Sequence, residues 1–478
     1  MLVFESISMY CIKEGTGLPA YFGTDGVRGK AFITLTVPMA ETLGYAAVKI
    51  LGPTLLIGRD TRYSGEALEE GLVRGINAAG GKALLAGIIP TPAIAFLVKE
   101  YSADGGVVIS ASHNPPEDNG IKFFNVNGYK LNDSQEEQFE QALQQMPSID
   151  VSQFDDQTSD NIFSIDDPLD QTAGQQVLTD AAERYIEYAV STFSRQGLDL
   201  RGIRIVIDCA HGAAFLTTPE TFRRLGAELI VINNDYNGKD INVDCGSTHL
   251  EQLKQAVADA HADLGIAHDG DADRLLAIDS NGQEVDGDHI MAICAQDLQE
   301  RGKLKNNTVV STVISNLGFE YALESMKIAL VRTDVGDTKV LSAMLEGDYV
   351  LGGEQSGHMV LLEYSTTGDG LISALQLLSV MQRKQKTLPQ LAAIMQKVPQ
   401  KMLNVTVQEK DTVMQSEQLS REKRTVEDLL GDKGRVLLRP SGTEPKIRVM
   451  VEADDEKLAE TLVNQLAKRV AEIDAELT

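Results

Sequence analysis

Long apolar runs are missing from this chain: no stretch approaches the roughly 18–20 residues that a helix needs to cross a bilayer. A secretory start is missing too. Residues 1–20 open apolar, but no Lys or Arg precedes Glu5, so export is not expected. Those residues read as a short extension ahead of the first motif, an alternative start without a function of its own. Cysteine is scarce. Cys11, Cys209, Cys245 and Cys294 show no paired zinc spacing, which predicts free thiols and a cytoplasmic location. Cations are in deficit, 43 Lys and Arg against 70 Asp and Glu, for a net charge of −27. Such a surface repels nucleic acid and anionic membranes, so neither is expected as a partner. A small anionic substrate remains open, because Arg and Lys recur inside glycine-rich motifs.

At 478 residues the chain is too long for one ordinary core. Its hydrophobic pattern repeats. Apolar strands begin at Thr54, Ile203 and Thr308. Each is followed by a polar loop, a helical stretch and a second apolar strand, at Ala83, Glu228 and Ile328. That pattern predicts an α/β class with three similar domains whose mixed sheets are mostly parallel and covered by helices. The last part differs. Two strands, Arg435 to Leu438 and Lys446 to Val451, flank a tight loop. A helix follows with Leu458, Leu462, Leu466 and Val470 on one face and Asp454 and Asp455 at its start. This predicts a C-terminal α+β domain. Residues 146–175, rich in Asp, Ser, Gln and Pro, read as a surface linker. The expected domains are 1–175, 176–278, 279–395 and 396–478.

Four motifs carry candidate chemistry. In Val107-Val-Ile-Ser-Ala-Ser-His-Asn-Pro-Pro116 a β-branched strand runs into small polar residues, and proline ends it. Ser112 then stands at a strand end, where sites of α/β sheets lie, although the same residues also form plain turns. No Gly-x-Ser-x-Gly elbow surrounds it, so a triad hydrolase fits poorly. In His268-Asp-Gly-Asp-Ala-Asp-Arg274 three carboxylates alternate. They repel one another unless a cation sits among them, and hard oxygen ligands select Mg²⁺ or Ca²⁺. Arg274 and Ser280 stand where an EF-hand needs Gly and Glu. Gly352-Gly-Glu-Gln-Ser-Gly-His358 suits a polyhydroxylated ligand through Glu354, Ser356 and His358, or is an ordinary glycine turn. Arg439-Pro-Ser-Gly-Thr-Glu-Pro-Lys-Ile-Arg448 combines Arg, two hydroxyls and a glycine backbone, the chemistry of a phosphate cradle, or is a strand turn.

These motifs, in this order, resemble the α-D-phosphohexomutases from Tyr21 to the C-terminus. Tyr21-Phe-Gly-Thr-Asp-Gly-Val-Arg-Gly29, Asp118-Asn-Gly-Ile-Lys-Phe-Phe124 and Arg439-Pro-Ser-Gly-Thr-Glu-Pro445 resemble the bacterial subgroup acting on glucosamine phosphates. The chain departs from the pattern in its N-terminal extension and in Ala272, where the loop often has a second Gly. The resemblance implies four domains around a cleft, with one functional loop from each. It implies that Ser112 carries a phosphate and that Asp269, Asp271 and Asp273 hold Mg²⁺ together with Ser112. Arg28 and Arg274 add positive charge, and Lys122 or His113 moves the proton, Lys122 being preferred. Glu354, Ser356 and His358 face the sugar. Arg439, Ser441, Gly442, Thr443 and Arg448 hold the phosphate that is not transferred. The implied reaction interconverts glucosamine 6-phosphate and glucosamine 1-phosphate. It passes through glucosamine 1,6-bisphosphate, or another hexose bisphosphate, which also phosphorylates the enzyme. A mannose or glucose phosphate mutase, or a catalytically silent sugar-phosphate binder, is the alternative. The oligomeric state stays open, a dimer being one option.

Overall fold

The computed structural model of the chain describes residues 11–12, 19–20, 22–23, 25–145, 174–441 and 445–477. Most of the expected extension, the linker up to residue 173, and Gly442 and Thr443 lie outside the described residues.

One strand pattern occurs three times. In the first unit Thr54–Arg59 pairs in parallel with Lys82–Ile88 on one side and Gly105–Ile109 on the other. Asp118–Asn125 then returns antiparallel. The second unit repeats this with Arg204–Asp208, Glu228–Ile232, Leu264–Ala267 and antiparallel Leu276–Asp279. The third does so with Thr308–Thr312, Ala329–Thr333, Leu351–Gly353 and antiparallel Met359–Leu361. The inner strands are unbroken apolar runs. Leu55, Leu56, Ile57, Val107, Val108 and Ile109 are all fully buried, as strands covered on both faces must be. On the first sheet, helices Val37–Ile50 and Gly65–Ala78 pack closely. A methyl on Gly75 would stand 1.8 Å from the Glu41 carbonyl, so only glycine lets the two backbones approach this far.

Two expected boundaries fall inside elements. Gln175–Val177 pairs with Lys82–Ile88 and belongs to the first sheet. Leu276–Asp279 turns back to pair with Glu284–Val285, so the second sheet continues past 278.

The C-terminal sheet is antiparallel throughout, with Lys446–Ala453 between Gln400–Thr406 and Gly434–Pro440. Helix Glu456–Leu477 covers it, and the Asp455 carboxylate accepts from the Leu458 N–H at its start. Leu462, Leu466 and Val470 are buried, but Leu458 is half exposed and Ala459 takes the inward place instead. The stripe on this first turn lies one residue later than expected. One apolar cluster runs through the first three units beside a smaller one in each, whereas the C-terminal module has its own core, with Val413, Val449, Val451, Leu466 and Val470 at its centre.

Candidate active site

In all three α/β units the loop between the third strand and its antiparallel return is the one that carries a motif. Ser112 follows Gly105–Ile109, the aspartates follow Leu264–Ala267, and Glu354 follows Leu351–Gly353. Backbone contacts join these loops. The Thr91 N–H donates to the Asp271 carbonyl at 3.0 Å, and Arg274 and His358 form a bridge. A Cβ on Gly270 would lie 2.6 Å from the Ser112 carbonyl, so glycine allows the serine and aspartate loops to meet.

Ser112 sits in the left-handed region, at φ 52°, and is 1% exposed. Its hydroxyl donates to Asp269 Oδ2 at 2.5 Å. Behind it, Ser110 Oγ accepts from the Ser112 N–H at 2.9 Å and donates to Asp60 Oδ2 at 2.6 Å. Arg62, also buried, pairs with Asp60 and donates to the carbonyls of Ser112, Asn114, Pro115 and Asp118. Asn242, from the second unit, donates to the Ser112 carbonyl at 2.8 Å. The left-handed serine is thus over-determined by its surroundings, as backbone strain at a functional site must be. The motif reading missed Asp60, Arg62 and Asn242. Charged residues clustered directly after the strand Thr54–Arg59, in Asp60-Thr-Arg62, were the available signal.

The carboxylates of Asp269, Asp271 and Asp273 are buried and offer oxygens all within 4.8 Å of one another. Asp271 Oδ1 and Asp273 Oδ1 are buried without a hydrogen-bond partner. Buried carboxylate oxygens without donors are costly, and hard oxygens at this spacing fit a divalent cation. Burial and the charges of Asp273 and Asp271 push the Asp269 carboxyl well above its ordinary range. Burial pushes Asp271 the same way, but the Lys122 ammonium and hydrogen bonds from Lys122 and Thr91 outweigh it and hold Asp271 low. Ala272 adopts φ 58°, the conformation for which glycine is the easier residue.

Arg28, Lys122, His113 and Arg274 all converge on this centre. Lys122 Nζ lies 2.8 Å from Asp271 Oδ2 and 2.9 Å from Asp25 Oδ2. Burial alone would lower its pKa, but Asp25 and Asp271 raise it, so Lys122 is an ammonium. His113 Nδ1 is 3.4 Å from Ser112 Oγ. Burial and the nearby Arg274 and Arg28 push its pKa down to about 3, leaving a neutral imidazole. Arg28 pairs with Asp25 at 2.5 Å, and Arg274 Nε stands 3.8 Å from Asp269 and 3.9 Å from Asp273.

The remaining loops flank this centre. Glu354 accepts from the Gly336 N–H at 3.2 Å and from Ser356 Oγ at 3.4 Å, and both side chains are partly open. His358 is 4% exposed, with Nε2 3.7 Å from both Asp273 and Asp337. A Cβ on Gly368 would lie 2.4 Å from its ring, so that ring is packed in behind the aspartate loop. Arg439 and Arg448 face each other directly across the C-terminal sheet. Like charges in such a pair are unfavourable, and neither has an ion-pair partner among the described residues. Burial and Arg448 push the Arg439 pKa down, while Asp334 and Glu354 oppose them. Two uncompensated guanidinium groups side by side suit a dianion. The Ser441 carbonyl accepts from Lys410 Nζ at 2.7 Å.

Comparison with known proteins covers nearly the whole chain. Residues 19–149, 183–282 and 286–398 match the phosphoglucomutase/phosphomannomutase alpha/beta/alpha domains I, II and III. Residues 402–469 match the C-terminal domain of the same family. A phosphoglucosamine mutase of Clostridium novyi is 46% identical over 94% of this chain and 98% of its own. One from Clostridium acetobutylicum is 47% identical with the same coverage. A solved putative phosphomannomutase from Thermus thermophilus superposes with a TM-score of 0.73 at 22% identity, covering 95% of this chain and 99% of that one. The N-acetylphosphoglucosamine mutase of Aspergillus fumigatus, solved with GlcNAc-6P and magnesium, gives 0.69 at 20%, covering 95% and 96%.

Proposed function

The chain belongs to the phosphoglucomutase/phosphomannomutase family, the α-D-phosphohexomutases, and we infer that it works there as a phosphoglucosamine mutase. It interconverts glucosamine 6-phosphate and glucosamine 1-phosphate. The observation that carries this reading is the Ser112 hydroxyl held 2.5 Å from Asp269, in a nest of three carboxylates.

The cycle has two phosphoryl transfers. Phosphorylated Ser112 gives its phosphoryl group to the free sugar hydroxyl, which loses its proton, and Ser112 Oγ leaves. The bisphosphorylated sugar turns over. Ser112 then attacks the other phosphate, which returns to it as the monophosphate product forms. Such transfers need alignment and electrostatic stabilisation more than covalent chemistry. Asp269, Asp271, Asp273 and Ser112 would hold Mg²⁺, which would supply charge that offsets the phosphoryl oxygens. Arg28 and Arg274 add to that charge. The proton lost by the attacking hydroxyl ends on the departing oxygen, passed by Lys122, an ammonium, or by His113, Lys122 being preferred. Glu354, Ser356 and His358 bind sugar hydroxyls, His358 with its Nε2 3.7 Å from Asp273. Arg439, Arg448 and the loop from Ser441 through Gly442 and Thr443 hold the idle phosphate.

We place the enzyme in the cytoplasm, where buried free thiols such as Cys209, Cys245 and Cys294 persist and a UDP-amino-sugar route would consume its product. The deciding experiment compares glucosamine, glucose and mannose 6-phosphates on fully phosphorylated protein. The highest kcat/KM is expected with glucosamine 6-phosphate. A preference for either neutral sugar overturns the assignment.

A further inference from the structure

Beyond the centre itself, an alternating chain of buried charges crosses the cleft wall. It begins at Asp271 of the second unit, whose Oδ2 lies 2.8 Å from Lys122 Nζ. Lys122 also pairs with Asp25 at 2.9 Å. The other oxygen of Asp25 lies 2.6 Å from Lys130 Nζ, and Lys130 pairs in turn with Asp337 of the third unit. His358, 3.7 Å from Asp337 and 3.7 Å from Asp273, closes the circuit on the same aspartate loop. Lys130 is 7% exposed at its side chain, and Asp25 and Asp337 are 14% exposed.

The backbone explains the arrangement. Strand Gly26–Lys30 lies antiparallel to Asp118–Asn125, and a Cβ on Gly26 would stand 2.4 Å from the Ile121 carbonyl. Glycine there lets Asp25 reach Lys122. A tight turn after Asn125 brings Lys130 back beside Phe124, on the same side as Asp25. Asp337 opens the helix Asp337–Glu346 of the third unit, immediately after Gly336, whose N–H holds Glu354. Three successive ion pairs, Lys122–Asp25, Asp25–Lys130 and Lys130–Asp337, therefore tie Lys122 to the element that seats the sugar loop.

We propose that Asp25, Lys130 and Asp337 are positioning residues, a bridge from the first unit to the third that aims Lys122 at the reacting phosphoryl group and sets the third unit against it. The proposal rests on the mutase reading, because it gives Lys122 and the aspartate loop their roles. An ammonium has three donors on a flexible stem and takes its direction only from its partners. Without Lys130, Asp25 would be drawn wholly to Lys122 and Arg28, and Asp337 would lose its cation.

The test is steady-state kinetics on phosphorylated protein with glucosamine 6-phosphate, with folding checked by circular dichroism and melting. Lys130→Met is expected to lower kcat about 10- to 100-fold, as a displacement near 1 Å does, while KM stays within about threefold of wild type. Lys130→Arg, which keeps the charge, should recover part of the loss. Asp337→Asn should lower kcat less, and the Lys130→Met/Asp337→Asn double variant should be no worse than Lys130→Met alone. If Lys130→Met does not fold, Asp337→Asn and Lys130→Arg decide the matter. Folded variants with wild-type kcat and KM overturn the bridge, as does a loss confined to melting temperature. Ser112→Ala run in parallel separates the two ideas: turnover in that variant overturns the phosphoserine mechanism whatever the bridge variants do.

Discussion

Asp269 and Asp271 stand two residues apart in one loop and respond oppositely to it. The folded pKa of Asp269 is raised by burial and like charge, so the folded state holds its proton more tightly than the unfolded chain does. Its contribution to the stability of metal-free protein therefore falls as pH rises from the ordinary carboxylate range through the raised value. Asp271 is held low against burial by Lys122 and Thr91, so its contribution is present above the ordinary range and is lost as pH falls through its lowered value. Asp269→Asn should flatten the decline of metal-free melting temperature toward neutral pH, whereas Asp271→Asn should lower the melting temperature at pH 7, because it weakens the pairing of buried Lys122. Parallel pH slopes for wild type and Asp269→Asn would sink the first claim. Mg²⁺ should raise the wild-type melting temperature less at low pH, since the metal must then displace the Asp269 proton. Both aspartates were legible in the sequence because three alternating carboxylates are hard to explain otherwise. Asp25 and Asp337 were not, since nothing in their spacing says that Lys130 lies between them.

The elements that carry chemistry are one loop used three times, and the repeat of strand, helix and strand was readable because each inner strand is a continuous apolar run. The antiparallel fourth strand of the third unit, Met359–Leu361, was not readable: with only three residues it carries no periodicity, and pairing alone defines it. Arg62 shows the same limit for a loop. In sequence it is a cation in a polar turn, yet in the fold it holds Asp60 and four carbonyls of the serine loop. Arg62→Met should cost about 3–5 kcal/mol of stability by leaving Asp60 buried and unpaired. It should also lower kcat although Ser112 is intact, because the carbonyls that fix the left-handed serine lose their donors. Arg62→Lys should not rescue it, since a point charge cannot span the guanidinium's partners. Chemical denaturation together with kinetics checks this, and wild-type kcat in a folded Arg62→Met would refute the clamp.

Over the whole molecule, the division of the core decides what can move. One apolar cluster joins the first three units, each of which also has a cluster of its own, whereas none of the C-terminal module's core belongs to that shared cluster. The joint between the third unit and this module is short, because Gln400–Thr406 is already a strand of the C-terminal sheet. Only the segment ahead of it is left to bend, and there the Asn316 side chain holds both the N–H and the carbonyl of Val398, each at 2.9 Å. Glu452 accepts from the Leu317 N–H at 2.9 Å, and Arg435 reaches the Ser315 carbonyl at 2.5 Å, so the module docks on the third unit through a few polar contacts. A module with a separate core and a short polar joint suits opening and closing over a ligand. Its Arg439–Arg448 pair is held together at a cost that a bound phosphate would remove. In the proposed cycle one serine performs both transfers, so we propose that this pair accepts the idle phosphate at position 6 in one half-reaction and at position 1 in the other. Arg439→Ala should therefore raise KM for both sugar phosphates and lower kcat/KM in both directions by roughly 10- to 100-fold, about 1.4–3 kcal/mol, the range for one charge-assisted contact. Because the bisphosphate must stay in the cleft while it turns, the variant should also release more of it per turnover. Free bisphosphate measured alongside kinetics in both directions decides the point: wild-type KM and wild-type release would mean that the C-terminal module holds no phosphate.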